Sequence, residues 1–365
     1  MRLRIIISMW CCAVLWLLAA APPALAALNN VPDRTFQTDG TVYCFLRVGN
    51  TIYMGGRFGR VGGVRRSNLA AFDASTGLLK PWSPTTNGPV YALAASPDGR
   101  RIYVGGDFSR TDGTYRDDLA ALDASTGRTL GGWRASADAP VRAIEVYGTR
   151  IYVGGDFRKV DGKTRYSIAL LGAADGALVE NWKAGVRGSV RRIDVVGSRL
   201  YVGGAFSTIR GPYRRNLEAL HPLSGRVAAW SPNPRRPVID FAVTRKRVYA
   251  AQGGLRGGAA SAYSTGSGRI VWSQHTNGNT QAVAVMSGLV YFGGHFDRVG
   301  GRHRGGFFAI VPRSGSLSRG WAPDANKLGP YELLADTSRG RLYAGGDFTS
   351  INNRQRIGFA RFSMR

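Results

Sequence analysis

An all-β fold of repeated four-stranded antiparallel sheets is predicted by three observations: a seven-residue segment that recurs along the chain, a tryptophan that recurs with it, and glycine-bearing hairpins at a fixed distance beyond it. The segment is clearest at residues 151–157, Ile-Tyr-Val-Gly-Gly-Asp-Phe. Copies stand at 52–58, 102–108, 200–206, 290–296 and 342–348, with a decayed one at 248–254, Val-Tyr-Ala-Ala-Gln-Gly-Gly. The tyrosines Tyr53, Tyr103, Tyr152, Tyr201, Tyr249, Tyr291 and Tyr343 lie 50, 49, 49, 48, 42 and 52 residues apart, the period of propeller blades or solenoid units.

One unit, Pro89 to Pro140, shows the expected strands in order. Val90 to Ala94 is the first, and the turn Ser96-Pro97-Asp98-Gly99 leads into the second, Arg101 to Phe108. A hairpin loop precedes the third strand, Asp118 to Asp123. The turn Ala124 to Gly127 leads to the fourth, Leu130 to Ala135. Seven such units specify a seven-bladed β-propeller of four-stranded antiparallel blades.

Runs such as Ile-Tyr-Val, apolar on both faces, suit strands with neighbours above and below. The paired glycines leave room for a bulge or for a close approach from the adjacent blade. Trp82, Trp133, Trp182, Trp230, Trp272 and Trp321 recur on the fourth strands, where core packing is their first role. Beyond the segment's Phe come the dipeptides Gly62-Gly63, Asp112-Gly113, Asp161-Gly162, Gly300-Gly301 and Asn352-Asn353, which a type I′ turn selects.

The chain ends at a third strand, so the last blade needs a fourth from elsewhere. Asp33 to Phe36 precedes Val42 much as Leu79 to Trp82 precedes Val90. The expectation is that the N- and C-terminal strands pair in the last blade and close it, with Phe36 at the missing tryptophan position.

Residues 1–26 read as a secretory signal peptide: Arg2 and Arg4, an apolar run from Ile5 to Ala20, and a small-residue site at Ala24 to Ala26. The remainder, 27–365, is expected to form the single propeller domain, exported or held at the cell envelope, with no transmembrane segment after cleavage and as a monomer. Cleavage leaves Cys44 alone, in an apolar stretch that suits an inert core thiol. The net charge of +26 comes from 49 Lys and Arg against 23 acids, and only six of the basic residues are lysines. The charge is therefore mostly guanidinium, suited to carboxylate and phosphate.

The Ala-x-Asp-x-x-Thr-Gly segments at 71–77 and 121–127, each followed by Trp, resemble the tryptophan-docking motif of bacterial quinoprotein propellers, with a longer Gly-to-Trp spacing than at Gly268 to Trp272. The whole unit, with its Gly-Gly-x-Phe core, more closely resembles a bacterial exported β-propeller repeat family of unknown function, distantly similar to WD40-like propellers. This second resemblance covers almost all of 27–365. It implies the fold and carries little about activity.

A quinone-dependent oxidoreductase is the least favoured reading. Quinoprotein dehydrogenases of the resembled class use eight blades, calcium and often a vicinal disulfide, whereas this chain counts seven units and has its only adjacent cysteines, Cys11 and Cys12, in the leader. No cofactor is expected. Gly-Gly-Asp-Phe resembles a cyclic-dinucleotide cyclase signature, but its repetition makes it structural. His221, His275, His295 and His303 fall in different units without metal-ligand spacing, so no metal is expected. A hydrolase or lyase at the central channel mouth is the alternative function, with Asp240 and Glu332 as candidate acids.

The eight residues after the segment's Phe in six units hold sixteen Lys or Arg and three acids. Arg66, Arg116, Arg165, Arg214, Arg304 and Arg356 share one position among them, which suggests a structural task such as binding strand-end carbonyls. The candidate ligand-binding residues come from the others: Arg60, Arg65, Arg158, Lys159, Lys163, Arg210, Arg298 and Arg302, with Arg235 and Arg236 from a connection between blades. Loops of this kind open on one face, and the expected function is an exported, non-catalytic binding or scaffold module whose basic face meets an anionic envelope polymer or an acidic protein surface. Export disfavours nucleic acid. The decayed fifth unit is expected to leave a notch.

Overall fold

The computed structural model describes residues 28–326 and 329–365, so the leader and Lys327 lie outside it. Every regular element among the described residues is a strand. Seven sheets of three or more strands follow one another along the chain, each with its second strand between its first and its third. The third sheet, Val141–Tyr147, Arg150–Gly155 and Ile168–Gly172, is typical.

The first strand carries the same β-bulge in every sheet, for example between Val141 and Ala143 and between Val238 and Asp240. The bulge leaves one residue per first strand unpaired and turned out of the ladder.

The paired glycines do two separate jobs. A Cβ on Gly154 would lie 2.4 Å from Val190 Cγ1 of the next sheet, and one on Gly155 would meet the Pro140 carbonyl and the Phe157 ring. The first glycine thus lets successive sheets approach, usually through an aliphatic side chain of the neighbour. The second seats the segment's own phenylalanine. Gly345 of the last sheet meets Val42 and Phe45 of the first in the same way. Gly154→Ala is expected to destabilise by about 1–3 kcal/mol through overpacking. Gly131→Ala, at a site with nothing within 4 Å, serves as its control in urea unfolding; equal effects would refute this account of the glycine.

The regular fourth strand expected in each unit is present only in the fifth sheet, as Ile270–Thr276. Elsewhere it shrinks to one bridge, such as Leu122 with Thr129, because the chain turns inward to bury its tryptophan. Trp182 packs edge-on against Tyr152 of its own sheet and donates from Nε1 to the Pro222 carbonyl of the next, at 2.8 Å.

The N-terminal segment runs along the last strand, Phe359–Ser363. Asn29 and Asp33 donate their amides to the carbonyls of Ser363 (2.9 Å) and Arg361 (2.8 Å), and Leu28 bridges Met364. Phe36 stands at the backbone position of the tryptophans, but its ring stacks on Phe359 and meets Phe72. The place against the Gly77 turn, filled by tryptophan in other sheets, holds the Arg361 guanidinium, which Asp33 anchors at 2.6 Å.

Candidate functional site: channel mouth and hairpins

The hairpin turns have positive φ at both central residues, as at Asp112 and Gly113 (46° and 76°) and at Asn352 and Asn353 (49° and 59°). Five of the ribbons are fastened in the same way to the connection that enters their own sheet. Asp39 accepts the amides of Gly59 and Arg60 at 2.7 and 2.8 Å, Asp138 those of Arg158 and Lys159 at 2.8 Å each, and Asn87, Asn277 and Asn326 repeat the arrangement. The sequence reading missed these caps, although an Asp or Asn 20 to 23 residues before the hairpin in each of five units was a usable signal.

The shared arginines bind strand-end carbonyls. Arg66, Arg165 and Arg356 donate to the carbonyls of Lys80 (3.0 Å), Glu180 (3.0 Å) and Asp33 (3.3 Å). Arg214 departs from this and pairs with the buried Glu218 at 3.3 Å.

Several proposed ligand-binding residues have partners of their own. Arg60 and Arg298 donate to the carbonyls of Gly63 and Gly301, three residues on in their turns, as Arg110 does to Gly113. This recurring bond gives Arg60 and Arg298 a structural reason that their count as free charges overlooked. Lys163 pairs with Glu180, and Arg210 donates to the Lys183 carbonyl. Arg65, Arg158, Lys159, Arg235 and Arg302 have exposed side chains, while Arg236 is half-buried and reaches the Gly257 carbonyl.

A cavity of about 580 Å³ is lined by residues of all seven first strands. The strands enter it from the side of the connections and hairpins, so the bulged residues ring that mouth. Tyr43 contacts Tyr91 and Tyr331 with ring centroids 5.3 and 5.5 Å apart. The Arg142 guanidinium lies 5.0 Å over the Tyr91 ring and pairs with Asp156 at 2.7 Å. Arg191 stands beside it, and burial followed by the Arg142 charge lowers its pKa. Gln281 turns a buried, unpaired Oε1 into the same cavity.

One residue deeper, Arg192 lies 3.4 Å from Asp240 and 4.0 Å from Glu332. The two acids singled out from sequence are therefore brought together, by a cation that was not. Asp240 also accepts the amides of Phe241 and Val283, each at 2.8 Å. Burial pushes the Asp240 carboxyl up against the pull of Arg192, and pushes Glu332 up to about 8. Glu145 rises to about 7 by burial and then the Asp194 charge. Burial opposes the Arg192 charge, but the surrounding carboxylates outweigh it and favour the guanidinium. Its side chain keeps 44 % of its surface open to the channel, though protein surrounds it. Cys44, in the same layer, is buried, and burial followed by the Glu332 charge pushes its thiol well up. Among the described residues no three His, Cys, Asp or Glu are grouped to hold a metal ion.

Consecutive sheets, each packed on the next, around a channel lined by all their first strands define a propeller-type repeat protein. A family model described as outer membrane protein assembly factor BamB matches residues 65–227, and one described as a domain of unknown function (DUF5122) beta-propeller matches residues 340–364. The two matches support a β-propeller repeat architecture related to the quinoprotein-type propellers. No curated protein matches it. Among solved structures it is similar to one titled "Structure of U3-55K", at 12% identity over 92% of this chain and 100% of that one with a TM-score of 0.64. It is also similar to the computationally designed Ika8 protein, at 12% identity over 88% and 91% with a TM-score of 0.54. At such identity these two carry the fold alone.

Proposed function

We propose that this chain is a seven-bladed β-propeller, closed by its N- and C-terminal strands, that acts as a non-catalytic binding or scaffold module at the cell envelope after removal of residues 1–26. Its partner is an anionic envelope polymer, met on the face that carries the hairpins and the channel mouth. The observation that supports this reading is the mouth itself, where Arg142 and Arg191 stand beside Tyr43, Tyr91 and Tyr331; the exposed Arg65, Arg158, Lys159 and Arg302 are assigned to the same face. Guanidinium beside aromatic rings suits an anionic, ring-containing polymer through charge and stacking. The BamB description, which names an outer-membrane assembly factor, is consistent with an envelope setting.

Polygalacturonate titrated into the protein tests the proposal. Affinity should fall linearly on a log–log plot as salt rises, and R65E/K159E/R302E should weaken it at least tenfold, about 1.4 kcal/mol, without changing the melting temperature. Affinity indifferent to salt would remove the electrostatic basis.

The convergence of Asp240 and Glu332 favours a hydrolase or lyase as the second reading. Against it, Asp240 is already engaged by two backbone amides and a guanidinium, which leaves less freedom for proton transfer. Turnover of a polymer that D240N abolishes would reverse the order.

A further inference from the structure

The fifth unit, which has lost its hairpin, replaces an apolar plug with a polar network. In four of the other units the second glycine of the pair seats a phenylalanine, as Gly155 seats Phe157. Here the corresponding residues are Gln252 and Gly254. The third-strand residue at this level is alanine in four units, Ala70, Ala120, Ala169 and Ala360, and is Ser261 here. Ser261 donates to Gln252 Oε1 at 2.6 Å and shares a 2.9 Å hydrogen bond with Ser273. Tyr263, two residues on along the same strand, lines the cleft beside them. Ser261, Gln252 and Tyr263 are 1 %, 3 % and 4 % exposed, so this is a built polar wall and not a wet surface.

The wall faces a cleft of about 420 Å³ on the flank of the fifth sheet, inside the ~300–1,000 Å³ range of small-molecule sites. Arg235, Arg236 and Arg269 line it, and no acid does. Glu218 approaches only from behind Ser231 and is taken up by Arg214. Guanidinium groups over a hydroxyl- and amide-bearing floor match a ligand with one anionic group and several hydroxyls.

We infer that this cleft is a binding site for an anionic sugar unit, its charge held by Arg235, Arg236 and Arg269 and its hydroxyls by the Gln252–Ser261–Ser273 network. Gln252, Ser261, Ser273 and Arg269 of the cleft are not among the residues proposed for the polymer, so either site can fail alone.

Calorimetric titration with glucuronate, glucose 6-phosphate, glucose and inorganic phosphate tests it. At least one charged sugar should bind with a Kd of about 1 mM or tighter, at least tenfold better than glucose and than inorganic phosphate. Which one binds distinguishes a carboxylate from a phosphate ligand. R235A/R269A should abolish the binding while leaving the melting temperature as it was, R269A alone should weaken it while leaving the salt-dependent polygalacturonate binding as it was, and S261A should weaken it severalfold. No binding by either charged sugar, equal binding of glucose, or binding unchanged in R235A/R269A would each overturn the assignment.

Discussion

Removal of residues 27 to 40 is expected to lower the melting temperature by roughly 10 °C or more and to make the protein associate in a concentration-dependent way. The segment supplies the outer row of the last sheet. Leu28 is fully buried in a cluster with Trp321 and Phe362, and Phe36 stacks on Phe359. Trp321 Nε1 donates to the Asn29 carbonyl at 3.3 Å, and Asn30 accepts Ala322 N through its side chain and Asn352 Nδ2 through its carbonyl, both at 2.8 Å. Loss of one buried and one half-buried apolar side chain and several hydrogen bonds amounts to about 5 kcal/mol. At about 2–4 °C per kcal/mol for large domains, the melting shift follows. Arg361, 15 % exposed, would also lose Asp33, and the strand Phe359–Ser363 would present a bare edge that invites pairing between copies. Scanning calorimetry and light scattering read both effects. A peptide of residues 27–40 added in trans should restore part of the loss, and an unchanged melting temperature would refute the role given to the segment.

What could be read from the sequence was whatever backbone geometry forces upon each unit separately. The glycine pair is required wherever one sheet closes on the next, and Asn353 replaces glycine where φ is 59°, so these positions stand out by recurrence. Recurrence also led correctly to the carbonyl-binding task of Arg66 and its counterparts. It was not used for Arg60 and Arg298, whose bonds three residues on lie within a single turn. The fourth strand was overread, because Leu130 to Ala135 has strand-like composition while burial of Trp133 draws the chain out of the ladder after one bridge. The channel was hardest. Arg192, Asp240 and Glu332 come from the fourth, fifth and seventh sheets, and only the common bulge, invisible in composition, brings them to one level. Tyr43, Tyr91 and Tyr331 were passed over for the same reason.

Arg192→Met is expected to be the costliest single substitution in the channel, at about 3–5 kcal/mol near pH 8. Arg192 is the one guanidinium within 4.0 Å of both Asp240 and Glu332, and Asp240 is only 5 % exposed. Without the cation, Asp240 keeps two backbone amides and Glu332 loses its ionic partner. Both carboxyls would then be pushed further up, because burial already raises them and Arg192 is what holds them down. A carboxyl raised in the folded state binds more protons there than in the unfolded chain, so stability is greatest at low pH and falls as pH climbs through the folded pKa. With Glu332 near 8 and Glu145 near 7, wild-type stability should decline between about pH 5 and 8. Arg192→Met should steepen that decline and Glu332→Gln should flatten it. Because the penalty lies in the acids left behind, Arg192→Met with Asp240→Asn should recover more than half of the single-variant loss. Urea unfolding of the four proteins at pH 5.5 and 8 measures all of this. A loss from Arg192→Met that is equal at the two pH values would mean that its packing against the channel wall, and not its charge, holds the seven first strands together there.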